Sequence, residues 1–372
     1  MRKKRIIVDA HIFDKERQGT TTYIKGFYTA FCKQFDGEFE VFFCAMDIDN
    51  LAFHFPDIDP KYFIKLKFRS SAIRLVFEIP YVIRKHKIDF AHFQQIVPFV
   101  KNCIFIVTIH DLLFKDLPDK FSFFYRLSRN FLFERALRKS DIKLTVSHYS
   151  LNSIIQYYGI KEVFITPNAI NSDFLSEINK IESANYVRNK YGLTKYILYV
   201  SRIEPRKNHL ELMKVFYDLG LGKKGYQLLF VGKNDIEVKG LSDYISQLDE
   251  EARSHFYWLD TIDDKEILHV YNAAELFVYP SLAEGFGIPP IEAVSLGVNT
   301  ICSNLTAMSD FSFLEGNLFN PLDYLEFRNV LKNNLANSNL SHVLSQRKQT
   351  VRSKYNWDSG IKILYNAIRE IK

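Results

Sequence analysis

Two doubly wound α/β domains are the fold that this sequence predicts, and three observations predict it. Short apolar runs with β-branched and aromatic character, among them RIIVDA, CIFIVTI, YILYV and LFVYP, alternate with stretches whose apolar residues recur at helical spacing. Such runs suit parallel strands buried on both faces and joined by helices. The chain has 372 residues, enough for two domains of ordinary size. A polar, weakly periodic stretch at 171–192 divides two alternating halves and reads as their connection. The expected domains are 1–170 and 193–356, with 357–372 as a final amphipathic helix.

In the first half, RIIVDAHIF (Arg5 to Phe13) reads as the first strand. The loop DKERQGTT follows, and TYIKGFYTAFCKQF has helical periodicity. The loop after a first strand faces the ligand crevice of an α/β sheet. Here it carries Gly19 and then Thr20, Thr21 and Thr22, whose hydroxyls suit either phosphate contacts or a helix N-cap. EVFFCAM, DFAHF and CIFIVTIHDLLF read as further strands, the last with His110 and Asp111 at its carboxyl end. DIKLTVSHYSLNSIIQYYGI gives a strand, a serine cap and a helix, and VFITPNAI gives the last strand of this half.

Two segments are basic and aromatic. Residues 61–87 contain Glu78 as their single acid, and 120–140 read KFSFFYRLSRNFLFERALRKS. Both suit either a helix packed on the sheet with a solvated basic face or a segment lying at an anionic membrane interface.

In the second half, YILYV reads as a strand, Ser201 to Asn208 as a loop and HLELMKVFYDL as a helix. Arg202 and Lys207 suit a diphosphate, one as a bidentate fork and the other as a point charge, and Arg206 reads as a solvated neighbour. YQLLFVGKND supplies a strand ending at Gly232, and HFYWLD another. Then comes LFVYPSLAEGFGIPPIEAVSLGVNTICSN: a strand, a loop holding Glu284, Gly285 and Gly287, a helix with proline in its first turn, Gly297 as its C-cap, and a strand. Free N–H groups of such a helix start bind anions, and glycines let backbone approach a ligand. Glu284 and Glu292 bracket the loop, and carboxylates accept hydroxyl donors of sugars well. After Asn304 the chain reads as helical and polar.

Composition limits the alternatives. The chain is 47% hydrophobic and 25% charged, as in folded globular proteins. No apolar run has the length of a membrane span, and MRKKRIIVDA enters a strand directly without a secretory signal pattern. Cys32, Cys44, Cys103 and Cys302 form no C-x-x-C pair and read as reduced, which points to the cytoplasm. The net charge of +6 suits a phosphate-bearing ligand or an anionic membrane and is too small to point to nucleic acid. The dinucleotide glycine fingerprint, the P-loop, the nucleophile elbow and zinc-ligand spacing are all missing from the sequence. Asp47-Ile48-Asp49 and Asp57-Ile58-Asp59 read as surface turns rather than metal sites.

The string E-G-F-G-I-P-P-I-E-A with its flanking Y-P-S resembles the donor-site signature of the GT-B glycosyltransferases of family 4. S-R-I-E-P-R-K-N resembles that family's phosphate loop and T-I-H-D-L its histidine string, in a form similar to the mannosyltransferase-type branch. The first-strand loop departs from the family's glycine-rich form. The resemblance implies two Rossmann-like domains facing a central cleft, with a final helix crossing back to the first domain. It implies retaining hexosyl transfer without a required metal or cofactor, from a GDP- or UDP-linked sugar held mainly by the second domain. Arg202 and Lys207 would neutralise the diphosphate, and Glu292 would hold the ribose. Glu284 would hold sugar hydroxyls, with the amides of Phe286, Gly287 and Ile288 beside it. Thr261 and Ile262 would border the nucleobase, Gly19 the phosphates, and His110 the sugar.

The expected acceptor is a glycan or lipid-linked glycan of a bacterial surface-polysaccharide pathway, met at the inner face of the cytoplasmic membrane. Two other readings stay open. One is a same-fold enzyme acting on a small sugar phosphate, with Lys15 or Arg17 on the acceptor. The other is a non-catalytic nucleotide-sugar-binding subunit of an assembly complex.

Overall fold

The computed structural model describes residues 2–14, 19–234, 236, 238–337 and 341–371. Lys15 and Arg17, the candidate acceptor cations, lie outside the described residues. The chain forms two compact units, Met1–Ala169 with Asn356–Lys372, and Ile170–Tyr355.

The first unit is built on a seven-stranded parallel sheet: β1 (Lys4–Asp9), β2 (Phe39–Ala45), β3 (Phe63–Lys65), β4 (Phe90–Gln94), β5 (Ile104–Ile109), β6 (Ile142–Thr145) and β7 (Phe164–Ile165). Their order is β3-β2-β1-β4-β5-β6-β7. β1 is central, with Ile6 beside Val41 of β2 and Phe90 of β4, and Ile6, Ile7 and Val8 are buried from both sides. The chain moves one way from β1 to β3, then crosses back to β4 and continues to β7. The order therefore reverses at β1 and β4, and open α/β sheets bind ligands at the carboxyl ends of such a pair. Right-handed crossovers place the helical stretch 71–85 and the helix Phe123–Lys139 on one face of the sheet. Their inner residues Ile79, Val82, Ile83, Phe133, Ala136 and Leu137 share one core cluster with the sheet.

The helix Gly19–Phe35 packs against the C-terminal helix Trp357–Glu370. Asn356 caps the latter by accepting from the Ser359 amide. The Trp357 indole lies so close over Gly26 that a Cβ there would come within 2.2 Å of it. Phe35 and Tyr365 stack with ring centroids 4.3 Å apart. The final helix thus belongs to the first unit, in agreement with the expected crossing back.

The second unit carries a six-stranded parallel sheet: β8 (Tyr196–Val200), β9 (Gln227–Val231), β10 (Phe256–Leu259), β11 (Leu276–Tyr279), β12 (Thr300–Ser303) and β13 (Leu318–Phe319). The order is β10-β9-β8-β11-β12-β13, which reverses at β8 and β11. Helix Ile288–Ser295 follows β11 and runs on to Leu296 and Gly297, the latter at φ +79°, as expected of a left-handed helix stop.

Several sequence-based expectations need correction. The stretch 171–192 is more than a connection: Lys180–Tyr191 is a helix of the second unit, capped by Asn179 and stopped by Gly192. It packs on the helix Glu266–Ala273 through a Tyr186–His269 ring stack and a Lys190–Glu266 ion pair. Its buried residues are Ser183 and Val187, too few for a clear apolar stripe. The first strand stops at Asp9, and His11–Asp14 is a short 3-10 turn in which the His11 ring meets the Asp9 carboxylate at 2.7 Å. Thr20, Thr21 and Thr22 lie inside the first turn of their helix rather than at its cap. The two D-x-D strings are turn-makers, as expected: Asp47 caps the helix Ile48–His54, and Asp59 accepts from the Lys61 amide.

Candidate functional site

In the second unit the loops after β8 and β11 come together because their strands are neighbours at the reversal point. The β8 loop is held down at two places. Ile203 donates to the Lys233 carbonyl at 2.7 Å, and Gly232, at φ +146°, lies against the Ser201 carbonyl where a Cβ would approach to 2.1 Å. Its short turn Pro205–Lys207 ends at Asn208 in the left-handed region, and the helix His209–Asp218 follows.

Glu284 is the centre of this region. Its Oε1 accepts from Lys207 Nζ at 2.5 Å, Ser281 Oγ at 2.7 Å and Tyr279 OH at 3.0 Å. Its Oε2 accepts from Arg206 Nη1 at 2.8 Å. Arg206 reaches on to the Ala283 carbonyl at 2.7 Å and to Glu204 at 2.7 Å. Burial alone would raise the Glu284 pKa, but Arg206 and Lys207 hold it well below the usual carboxylate range. Burial lowers the Lys207 pKa, with Glu284 pulling against it. The result is a buried, charge-compensated knot tying the two loops. Arg206, expected to be solvated, is one of its ties, a correction imposed by the neighbouring β11 loop.

Other expected residues fall on the same rim of this sheet. Glu292 lies on the helix after the β11 loop and accepts from Tyr271 OH at 3.1 Å. Gly287 takes φ +99°, and a Cβ there would press on Phe311 at 3.3 Å. The amides of Gly287 and Ile288 open this helix, where first-turn N–H groups have no intrahelical acceptor. Phe286 contributes backbone only, since its ring is buried against Phe311 and Tyr355. Gly285 follows Glu284 directly in the β11 loop. Arg202 begins the β8 loop, its carbonyl accepting from Ser201 Oγ at 2.9 Å. Thr261 and Ile262 follow β10, two strands from β8, with Asp260 accepting from the Asn234 amide at 3.3 Å.

In the first unit, His110 stands at the carboxyl end of β5. Its Nε2 lies 2.8 Å from Gln94 Oε1 at the end of β4, which an Nε2–H tautomer satisfies. The Tyr23 ring meets it edge-on at 5.2 Å. Burial pushes the His110 pKa down to about 4, so the ring is neutral at neutral pH. Gln94 carries no sequence motif and was missed. Its amide Nε2 is buried without a hydrogen-bond partner among the described residues. The next residue, Gln95, has φ +66°, bridged by the Ile96 amide donating to the Gln94 carbonyl at 2.7 Å. Strained non-glycine backbone of this kind concentrates at functional sites. Gly19 is exposed, and a Cβ there would meet nothing within 4 Å, so packing does not require glycine at this position.

Two family models match the chain: "Glycosyltransferase Family 4" over residues 19–174 and "Glycosyl transferases group 1" over 182–349. The serotype-specific mannosyltransferase WbdA of Escherichia coli is 30% identical over 231 residues, which is 60% of this chain and 28% of WbdA. The chain thus spans little more than a quarter of that relative's length. The O-antigen chain mannosyltransferase B of Escherichia coli is 27% identical over 71% of this chain and 70% of its own. Among solved structures, HepE of Anabaena in complex with UDP superposes with a TM-score of 0.75 over 100% of both chains at 14% identity, a likeness of fold.

Proposed function

The chain belongs to the family 4 glycosyltransferases of the GT-B fold, and from that premise we propose that it transfers a hexose from a nucleoside-diphosphate sugar to a glycan hydroxyl in polysaccharide synthesis. The observation that carries this reading is the Arg206–Glu284–Lys207 knot at the reversal point of the second sheet. It ties the β8 loop, which carries Arg202, to the β11 loop that leads into the helix start at Gly287 and Ile288. A diphosphate is held by cations and by helix-start amides together.

In the proposed reaction the bond from the anomeric carbon to the diphosphate breaks and a bond to the acceptor oxygen forms on the same face, with retention. The acceptor proton passes to the departing phosphate. Negative charge grows on the diphosphate, and Arg202 and Lys207 oppose it without a metal. Loss of one such group costs on the order of a hundredfold in rate. Glu284 Oε2, which accepts from Arg206, has one lone pair left for a sugar hydroxyl, and Glu292 takes the ribose. Neutral His110 and the Gln94 amide serve the first unit's rim as hydrogen-bonding groups for substrate hydroxyls.

Mannose is the favoured sugar, because WbdA and mannosyltransferase B are both named as mannosyltransferases, and the donor nucleotide is GDP or UDP. The acceptor is a lipid-linked glycan. Calorimetric titration with GDP, UDP and ADP tests the donor site in the wild type and in Arg202→Ala. Binding of one nucleotide, weakened at least tenfold by the substitution, is expected. No binding of any of the three by folded protein would overturn the reading.

A further inference from the structure

The first unit exposes more apolar surface than its core requires, and the excess is ordered. On the helix Phe123–Lys139, Phe124 (81% exposed), Leu127 (57%) and Phe131 (61%) fall at i, i+3 and i+7, one stripe turned to solvent. On the stretch 71–85, Ile73 (38%), Phe77 (69%) and Tyr81 (61%) form a second stripe at four-residue spacing. Each helix buries its opposite side in the core, so neither stripe is left over from a failed packing register.

The two stripes belong to one surface. Both helices cover the same face of the sheet, and the segment 97–102 is tied to each. Arg135 donates to the carbonyls of Val97, Pro98 and Phe99, at 3.1, 2.9 and 2.9 Å, with its guanidinium 4.4 Å from the Phe99 ring centre. On the other side, the Phe99 amide donates to the Leu75 carbonyl at 3.4 Å and Asn102 to the Pro80 carbonyl at 2.9 Å. Phe99 and Val100 are themselves about half exposed.

Charge decides what covers this surface. The cations Lys67, Arg69, Arg84, Lys85 and Lys139 are exposed in or next to these two stretches. The acids within these two helical stretches are neutralised: Glu78 is buried and accepts from the amides of Lys67 and Phe68, and Glu134 pairs with Arg138. Apolar side chains ringed by cations with the acids withdrawn match an anionic lipid bilayer, whose interface takes aromatic rings and whose headgroups take lysine and arginine. A protein partner of ordinary mixed charge would meet acids as well as bases there.

We propose that this face of the first unit, through the stripes of residues 73–81 and 124–131, docks the protein on an anionic bilayer. The inference deepens the lipid-linked acceptor reading by assigning the surface that would meet the lipid, yet it does not depend on the donor site and is measured without nucleotide. The test is sedimentation of the full chain with unilamellar vesicles of phosphatidylcholine alone and with one quarter phosphatidylglycerol. The expected result is binding to the phosphatidylglycerol vesicles at least tenfold tighter than to phosphatidylcholine, weakened severalfold by 0.5 M salt as screening shortens. Phe77→Ser, Phe124→Ser and Phe131→Ser together should reduce it at least tenfold with an unchanged melting temperature, since these rings are exposed. Equal vesicle binding by the triple variant would overturn the assignment, and so would absence of binding by folded wild type. Conversion of an oligomer to monomers by the same substitutions, with vesicle binding unaltered, would assign the face to self-association instead.

Discussion

Glu284→Gln isolates what the buried knot does. The substitution keeps size and hydrogen-bonding capacity but removes the charge that Arg206 and Lys207 share. Arg206 retains Glu204 at 2.7 Å. Lys207, whose side chain is 9% exposed, keeps Tyr279 OH at 3.3 Å, a neutral partner. Breaking a buried ion pair from one side costs about 3–5 kcal/mol, because the remaining charge stays buried and unpaired. For a unit of this size that is a fall in melting temperature of roughly 6–20 °C. The chain has two tryptophans, Trp258 in the second unit and Trp357 in the first. Urea unfolding followed by Trp258 fluorescence in a Trp357→Phe background therefore reads the second unit alone. Adding Lys207→Met to Glu284→Gln should recover most of the loss, since removing both charges is far less costly than removing one. The same carboxylate sets a pH dependence. Its folded pKa lies below the ordinary 4.5, so its contribution is present above that value and is lost as pH falls beneath it. That acid-side loss should be absent in Glu284→Gln. A cost under about 1 kcal/mol, or a double variant no more stable than Glu284→Gln alone, would refute the account of a knot held by charge compensation.

Three further outcomes are expected. Gln94→Leu leaves His110 Nε2 without its acceptor and should lower turnover about tenfold to a hundredfold, as misplacing a substrate-positioning group does, with fluorescence-monitored stability changed by no more than about 2 kcal/mol. His92 and His110 are pushed by burial to about 3 and about 4. The unfolded first unit therefore takes up as many as two more protons than the folded one as pH falls from 6.5 towards 4, and its stability should drop by at most about 3 kcal/mol per pH unit through that window; a flat profile there would contradict the burial of these rings. Gly26→Ala forces a Cβ into the Trp357 indole and should destabilise the first unit by roughly 1–3 kcal/mol, read by Trp357 fluorescence in a Trp258→Phe background.

How much of the chain was legible depended on how far apart interacting residues lie in sequence. The long buried strands around Ile6, Ile106 and Ile197 and the amphipathic helices announced themselves by local periodicity. β3 has three residues and β13 two; β3 lay inside a segment read as a helix on the sheet or a membrane-interface segment, and β13 inside one read as helical and polar. Too few positions alternate for a pattern to show. The helix Lys180–Tyr191 was hidden for another reason: its stability comes from its caps and from Tyr186, Lys190 and Tyr191 meeting His269 and Glu266, roughly a quarter of the chain away. No local stripe records such contacts.

The site divides along the same line. Glu284, Glu292, Arg202 and Lys207 stand in contiguous strings, and the strings named them. Arg206 was misread because its partners Ala283 and Glu284 lie 77 and 78 positions on. They become neighbours only because the sheet places β8 between β9, its next strand in sequence, and β11, whose loop carries them. Once that adjacency is fixed, the positions of the charges follow from electrostatics. A carboxylate buried between two loops must gather cations, and the nearest ones on the facing loop are Arg206 and Lys207. Arg202 stands at the start of that same loop, which the knot ties to the loop after β11. Gln94 is the counterpart in the first unit: a residue of no motif, made informative by the His110 ring beside it and by the strained backbone of Gln95 that follows.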